Sequence, residues 1–80
     1  MQHTNTEENL DLIGMSCPYP IMHTQKKMRA LACGERLLVK VSDPSFSIDL
    51  NVFVRQSGNI LLNSWQEGEV IFYLLERSIN

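Results

Sequence analysis

Two proline junctions, each set just after a strand-like run, constrain what this chain can fold into more than any other feature. The first follows Asn9-Leu10-Asp11-Leu12-Ile13, an alternating run that reads as a short strand ending at Gly14. Beyond it stands Cys17-Pro18-Tyr19-Pro20. Proline has its φ preset for a first helical turn and lacks an N–H that would go unpaired there, so Pro18 is expected to open a helix with Cys17 as its N-cap. Pro20 removes a second donor from the same turn without breaking an intrahelical hydrogen bond. The second junction is Ser42-Asp43-Pro44, which follows Arg36 to Ser42 with Leu37, Val39 and Val41 in alternation. Asp43 is expected to cap a helix and Pro44 to open it, repeating the logic of Cys17-Pro18. A strand, helix, strand succession implies a right-handed crossover, and matching crossovers bring Asp43 to the same sheet edge as Cys17.

From Pro18 the chain runs to Ala32 or Cys33 without a breaker, with Ile21, Met28 and Leu31 or Ala32 at helical spacing and Gly34 expected as C-cap. Met22 and Met28 are read as packing groups. The segment after Pro44 reads two ways. Phe46, Ile48, Leu50, Val52 and Val54 alternate as in a strand, yet Phe46, Leu50, Phe53 and Val54, backed by Ile48 and Val52, also form a helical stripe. The Asp-Pro start favours a helix from about Pro44 to Gln56. Ile60 to Trp65 and Val70 to Arg77 then make a hairpin around Gln66-Glu67-Gly68-Glu69. The order βαβαββ gives an α/β (α+β) two-layer sandwich, a four-stranded mixed sheet with two helices on one face. Residues 1–8 are expected to form a flexible tail and residues 9–80 one domain.

Eighty residues bury only about 60% of their unfolded surface, so a large enclosed active site is not expected. A net charge of −2 argues against direct binding of nucleic acid. Five of the seven basic residues, Lys26, Lys27, Arg29, Arg36 and Lys40, nevertheless fall in one segment whose only acid is Glu35. That segment reads either as a solvated face or as a docking patch for an acidic protein partner, carried by Lys26, Lys27 and Arg29. Met1 to Asn9 has no apolar core of a secretory signal, and the longest apolar run, Val70 to Leu75, is too short to cross a bilayer. Cytoplasmic location without membrane insertion is the resulting expectation, and two cysteines there read as thiols.

A cysteine at a helix N-terminus commonly has a depressed pKa, and the thiolate is the nucleophile, so Cys17 is expected to be reactive. A helix from Pro18 to Ala32 is about 22 Å long, whereas a disulfide needs Cα atoms within about 7 Å, so Cys33 cannot resolve Cys17 within one molecule. Cys33 is read as structural. Neither Cys17, Cys33, His3 nor His23 has the paired spacing of a zinc site, so no metal and no cofactor is expected. His23 lies six residues past Cys17 and faces away from it on the helix.

With Gly14-Met15-Ser16-Cys17-Pro18-Tyr19-Pro20, a following helix, Gly34-Glu35 and Ser42-Asp43-Pro44 in that order, the chain resembles the TusA/SirA-like sulfur carrier family over roughly Leu10 to Arg77. The resemblance implies a small two-layer fold whose Cys17 accepts sulfane sulfur as a persulfide from a cysteine desulfurase or another sulfurtransferase and hands it to an acceptor protein. It implies positioning roles for Pro18, Pro20 and Asp43. Family members used in transfer-RNA thiolation often carry basic residues where this chain has Ser16 and Gln25. A sulfur relay rather than a turnover enzyme is therefore expected, with two rivals: a non-catalytic protein-binding or regulatory module in which Cys17 only caps its helix, and a redox thiol cycling through sulfenic acid.

Overall fold

A computed structural model describes residues 7–78. Along it run β1 (Glu7–Leu12), α1 (Tyr19–Ala30), β2 (Arg36–Val41), α2 (Phe46–Ser57), β3 (Ile60–Glu67) and β4 (Val70–Glu76). The expected βαβαββ order and the two-layer α+β architecture are both present, with the strands in the order β1-β2-β4-β3. β1 and β2 pair in parallel, and β4 lies antiparallel between β2 and β3. The crossover through α1 therefore joins adjacent strands. That through α2 skips one position, and the returning hairpin fills it with β4.

Alternation fixes which sheet face meets the helices. Leu37, Val39 and Val41 of β2, Tyr73 and Leu75 of β4 and Leu12 of β1 are buried against Met28, Leu31, Phe46 and Leu50. Full burial of an aliphatic side chain stabilises by about 1.5–3 kcal/mol, and a one-residue slip of β2 would turn all three of its core residues outward. The rings of Phe46 and Tyr73 meet at 5.4 Å and 58°, tying α2 to the sheet centre. On the opposite face Trp65 and Phe72 stack at 5.1 Å.

Several boundaries differ from the sequence expectation. β1 begins at Glu7, inside the segment read as tail, whose residues 1–6 lie outside the described ones together with His3. Neither cap is where the prolines suggested. Pro18, joined to Cys17 by a cis peptide, is itself the N-cap of α1, Ser45 is that of α2, and neither helix has a side-chain cap. At the other end α1 stops with Leu31 in extended conformation, three residues before Gly34. Arg77 explains the early stop: its guanidinium donates to the Met28 carbonyl at 2.6 Å and the Leu31 carbonyl at 3.4 Å, satisfying orphan acceptors that a glycine cap would otherwise serve. α2 does end on a glycine, Gly58, with φ +81 and its N–H on the Val54 carbonyl at 3.0 Å. Met28 is buried as expected, but Met22 is 54% exposed. The hairpin turn is only Gly68-Glu69, because Gln66 and Glu67 continue β3 as an exposed edge that tolerates polar residues.

Candidate functional site

Cys17 lies on the loop joining β1 to α1, and that loop is held by the equivalent loop joining β2 to α2. The Gly14 N–H donates to Ser42 Oγ at 2.9 Å, and glycine is needed there because φ is +89. The Cys17 N–H donates to Asp43 Oδ2 at 3.3 Å. Asp43 Oδ1 accepts from the Ser45 N–H at 3.0 Å and the Ser45 hydroxyl at 2.9 Å. One carboxylate thus folds its own turn with one oxygen and fixes the Cys17 backbone with the other. The Ser45 hydrogen bonds, backbone first and then side chain, hold the Asp43 carboxyl below the usual aspartate range against some desolvation, and the Cys17 hydrogen bond adds to them. Asp43 was expected as an N-cap. It acts two residues earlier, as the clasp between loops.

Pro20 is buried beneath the loop, and its carbonyl accepts from the buried Thr24 hydroxyl at 2.8 Å, so the first turn of α1 is anchored from inside. Pro18 borders the groove that Cys17 opens onto. That groove runs between α1 and α2, encloses about 270 Å³ and is lined by Ile21 and Gln25 on one side and Asp49, Val52, Phe53 and Gln56 on the other. Both linings are helical stripes, i and i+4 on α1 and i, i+3, i+4, i+7 on α2. Six of the large apolar side chains left exposed, Ile13, Met15, Tyr19, Met22, Ile48 and Val52, belong to the Cys17 loop, the first turns of the helices and the groove wall.

Cys17 is exposed, but its electrostatics run opposite to the expectation of a depressed pKa. Desolvation by the groove walls raises the thiol above its ordinary value, and the charge and hydrogen bond of Asp49, then the charge of Asp43, raise it further. The contact is direct: Cys17 Sγ–H donates to Asp49 Oδ2 at 3.7 Å. Sequence reasoning missed Asp49. The signal was there, since an acid in the first turn of α2 on the stripe with Val52, Phe53 and Gln56 must face whatever α2 packs beside.

The remaining predicted residues lie elsewhere. Lys26 and Lys27 border a second groove with Leu10, His23 and Ala30, and Lys27 pairs with Glu8 at 2.9 Å. Arg29 is in the last turn of α1. His23 faces away from Cys17, as its spacing implied. Cys33 is exposed beyond the far end of α1, beside a hollow of about 470 Å³ lined by Gly34, Ile60, Glu76, Arg77 and Ser78. Among the described residues no three His, Cys, Asp or Glu side chains are grouped to hold a metal ion, and no helix is long and apolar enough to cross a membrane.

Fold and loop together define a small α+β domain that presents one exposed thiol where two strand-to-helix junctions meet. A family profile described as Sulfurtransferase TusA matches residues 8–76, and the chain belongs to that family. The sulfur carrier protein TusA of Allochromatium vinosum is 35% identical over 72 residues, which is 90% of this chain and 95% of that one. A candidate sulfur carrier protein of Aquifex aeolicus is 39% identical over 79 residues, and there the chain spans only 40% of the relative's length. The crystal structure of a SirA-like protein from Desulfitobacterium hafniense superposes with a TM-score of 0.77 at 19% identity, covering 89% of this chain and 97% of that one, a likeness of fold.

Proposed function

We propose that this domain is a sulfur carrier whose Cys17 receives sulfane sulfur from a protein donor and relays it to a protein acceptor. The observation that carries the reading is the exposure of Cys17 on a loop clasped by Asp43, at the mouth of a groove too small and open to enclose a substrate. In the loading step the Cys17 thiolate attacks the outer sulfur of a donor persulfide. A bond forms between Sγ and that sulfur, the donor's S–S bond breaks, and the donor cysteine leaves as thiolate. Unloading is the same exchange with the acceptor thiolate attacking. No net oxidation occurs and no cofactor is needed. The exposed apolar side chains around the loop support docking of a protein, because a persulfide has to be shielded from water and stray thiols during transfer.

A cysteine desulfurase or another sulfurtransferase is the donor we favour, and the cytoplasm is the compartment in which such thiols stay reduced. Pro18, Pro20 and Asp43 position the loop. Lys26 and Arg29, exposed on the far half of α1, supply a second contact for an acidic patch on a partner, with Lys27 contributing less because Glu8 already holds it.

One observation favours a second reading, a binding module without sulfur chemistry: the Cys17 thiol is raised, not depressed. Intact-mass analysis after incubation with a cysteine desulfurase and cysteine separates the two. The relay gains one reductant-labile sulfur in the wild type and in Cys33→Ser, and none in Cys17→Ser. Loading of neither cysteine overturns it in favour of the binding module, and equal loading of both overturns the assignment of the site to Cys17.

A further inference from the structure

We propose that Asp49 is a positioning and specificity residue for Cys17: its carboxylate holds the resting thiol as S–H and favours donors that bring positive charge to the reacting sulfur. The inference deepens the sulfur-carrier reading by naming the chemistry of the partner at that site. It starts from geometry. Asp49 Oδ2 is 3.7 Å from Cys17 Sγ and accepts from it, while Asp43 reaches the backbone of the same residue from the opposite loop at 3.3 Å.

Every element facing the thiol has the same character. The β1–α1 loop around Cys17, which ends at Pro18, carries no charge, α1 contributes Ile21 and Gln25, α2 contributes Asp49, Val52, Phe53 and Gln56, and the β2–α2 loop contributes Asp43. Among the described residues no Lys, Arg or His lines this groove. Three of the chain's cations are engaged elsewhere, Lys27 with Glu8, Arg36 with Glu76 at 3.3 Å and Arg77 with the end of α1. A thiolate at Cys17 therefore forms against desolvating groove walls and beside two carboxylates, with no cation in the groove lining to compensate, and the raised thiol is the expected result.

A docked partner changes this balance in one way. A Lys or Arg placed against Asp49 removes the hydrogen-bond acceptor from the thiol, offsets both negative charges and leaves the proton free to depart to solvent or to a base on the donor. Away from such a partner Cys17 stays protonated and slow toward stray electrophiles, which suits an exposed carrier. The apolar rim then raises the weight of the charge contact by excluding water from it.

The test uses thiol–disulfide exchange, which needs neither a persulfide nor a protein partner, so its failure is separate from failure of the relay reading. On a Cys33→Ser background, Cys17 is reacted at low ionic strength with cystamine, a dication, with 2-hydroxyethyl disulfide, which is neutral, and with 3,3′-dithiodipropionate, a dianion. In each case the Cys17 thiolate attacks one sulfur, a mixed disulfide forms and one reagent thiolate leaves. Each rate is divided by that of 2-mercaptoethanol with the same reagent, which removes the leaving-group difference, and the expected order of the ratios is cystamine, then the neutral reagent, then dithiodipropionate. Asp49→Asn collapses the cystamine preference severalfold and shifts the pH profile of iodoacetamide alkylation to lower pH, raising the rate at pH 7. Asp49→Glu keeps the preference, and Glu69→Gln, on the distant hairpin turn, leaves it unchanged. Should Asp49→Asn not fold, the wild-type preference itself must fall as salt rises toward about 1 M, where the Debye length is about 3 Å. A cystamine preference that is absent, insensitive to salt, or equal in wild type and Asp49→Asn overturns the proposal.

Discussion

The two oxygens of Asp43 hold two different chain segments, and an asparagine in its place has only one oxygen to offer. Asp43→Asn is therefore expected to release either the Cys17 N–H or the Ser45 turn while leaving the core untouched. A displacement of about 1 Å at a reacting group can lower a rate by about 100-fold, and an exposed loop that still visits its proper position is expected to lose about tenfold in loading rate. Stopped intact-mass time courses with a desulfurase measure this, with circular dichroism as the control for folding. The pH dependence has a definite sign. Because the folded Asp43 carboxyl is held below the usual range, its stabilisation is complete above the unfolded aspartate value and is lost as pH falls through the lowered one. The Tm gap between wild type and Asp43→Asn, open at neutral pH, should begin to close below about pH 4. At this scale the meeting of the Cys17 and Asp43 junctions at one sheet edge was legible in the sequence, since both stand before a proline at a strand's end. The raised thiol was not. It depends first on desolvation in the groove where two helices meet and then on Asp49, thirty-two residues away along the chain, a lateral contact that no local pattern records.

The helices show where pattern gives out at the level of elements. Each apolar stripe was visible, and so was the parallel crossover, because burial of Leu37, Val39 and Val41 imposes a period of two and that of Phe46 and Leu50 a period near four. The segment after Pro44 allowed a strand as well, but it is a helix, and Ile48 and Val52, expected to back its apolar stripe, are instead 67% and 44% exposed. The helix ends were less legible, because an end is set by whatever satisfies its last carbonyls. For α1 that is Arg77, from the far end of the chain. Gly34 only turns the chain afterwards, its N–H on the Arg77 carbonyl at 2.9 Å, with the Arg77 N–H returning to Glu35 at 2.9 Å. Arg77→Ala should leave those backbone bonds in place and remove the guanidinium cap. A charged donor on part-buried carbonyls at the negative end of a helix is worth about 1–2 kcal/mol here. For a domain of this size that lowers Tm by about 4–16 °C. Thermal unfolding by circular dichroism tests it, and Arg77→Lys, which keeps the charge but not the fork, should recover part of the loss.

At the scale of the whole molecule the chain has one chemical end and one structural end, and α1 spans the distance between them. Cys17 precedes its first turn and Cys33 follows its last, so the twelve helical residues alone separate the thiols by about 18 Å. A disulfide requires Cα atoms within about 7 Å. Closing that gap means unwinding α1, and Thr24 and Met28 on its inner face are almost fully buried, Met28 among the core residues. Such opening is near global unfolding in a domain this small, so oxidation has no internal route to a bridge. This distinguishes a relay from a self-resolving redox thiol. After treatment with diamide at low protein concentration the monomer should contain no Cys17–Cys33 disulfide by peptide mapping. Any cross-linked species should be a dimer whose yield rises with protein concentration. Adding denaturant, which removes α1, should allow the bridged monomer to form. A bridged monomer under native conditions would mean that α1 unravels on the timescale of oxidation, and the separation of the two ends would no longer protect sulfur held on Cys17 from capture within its own chain.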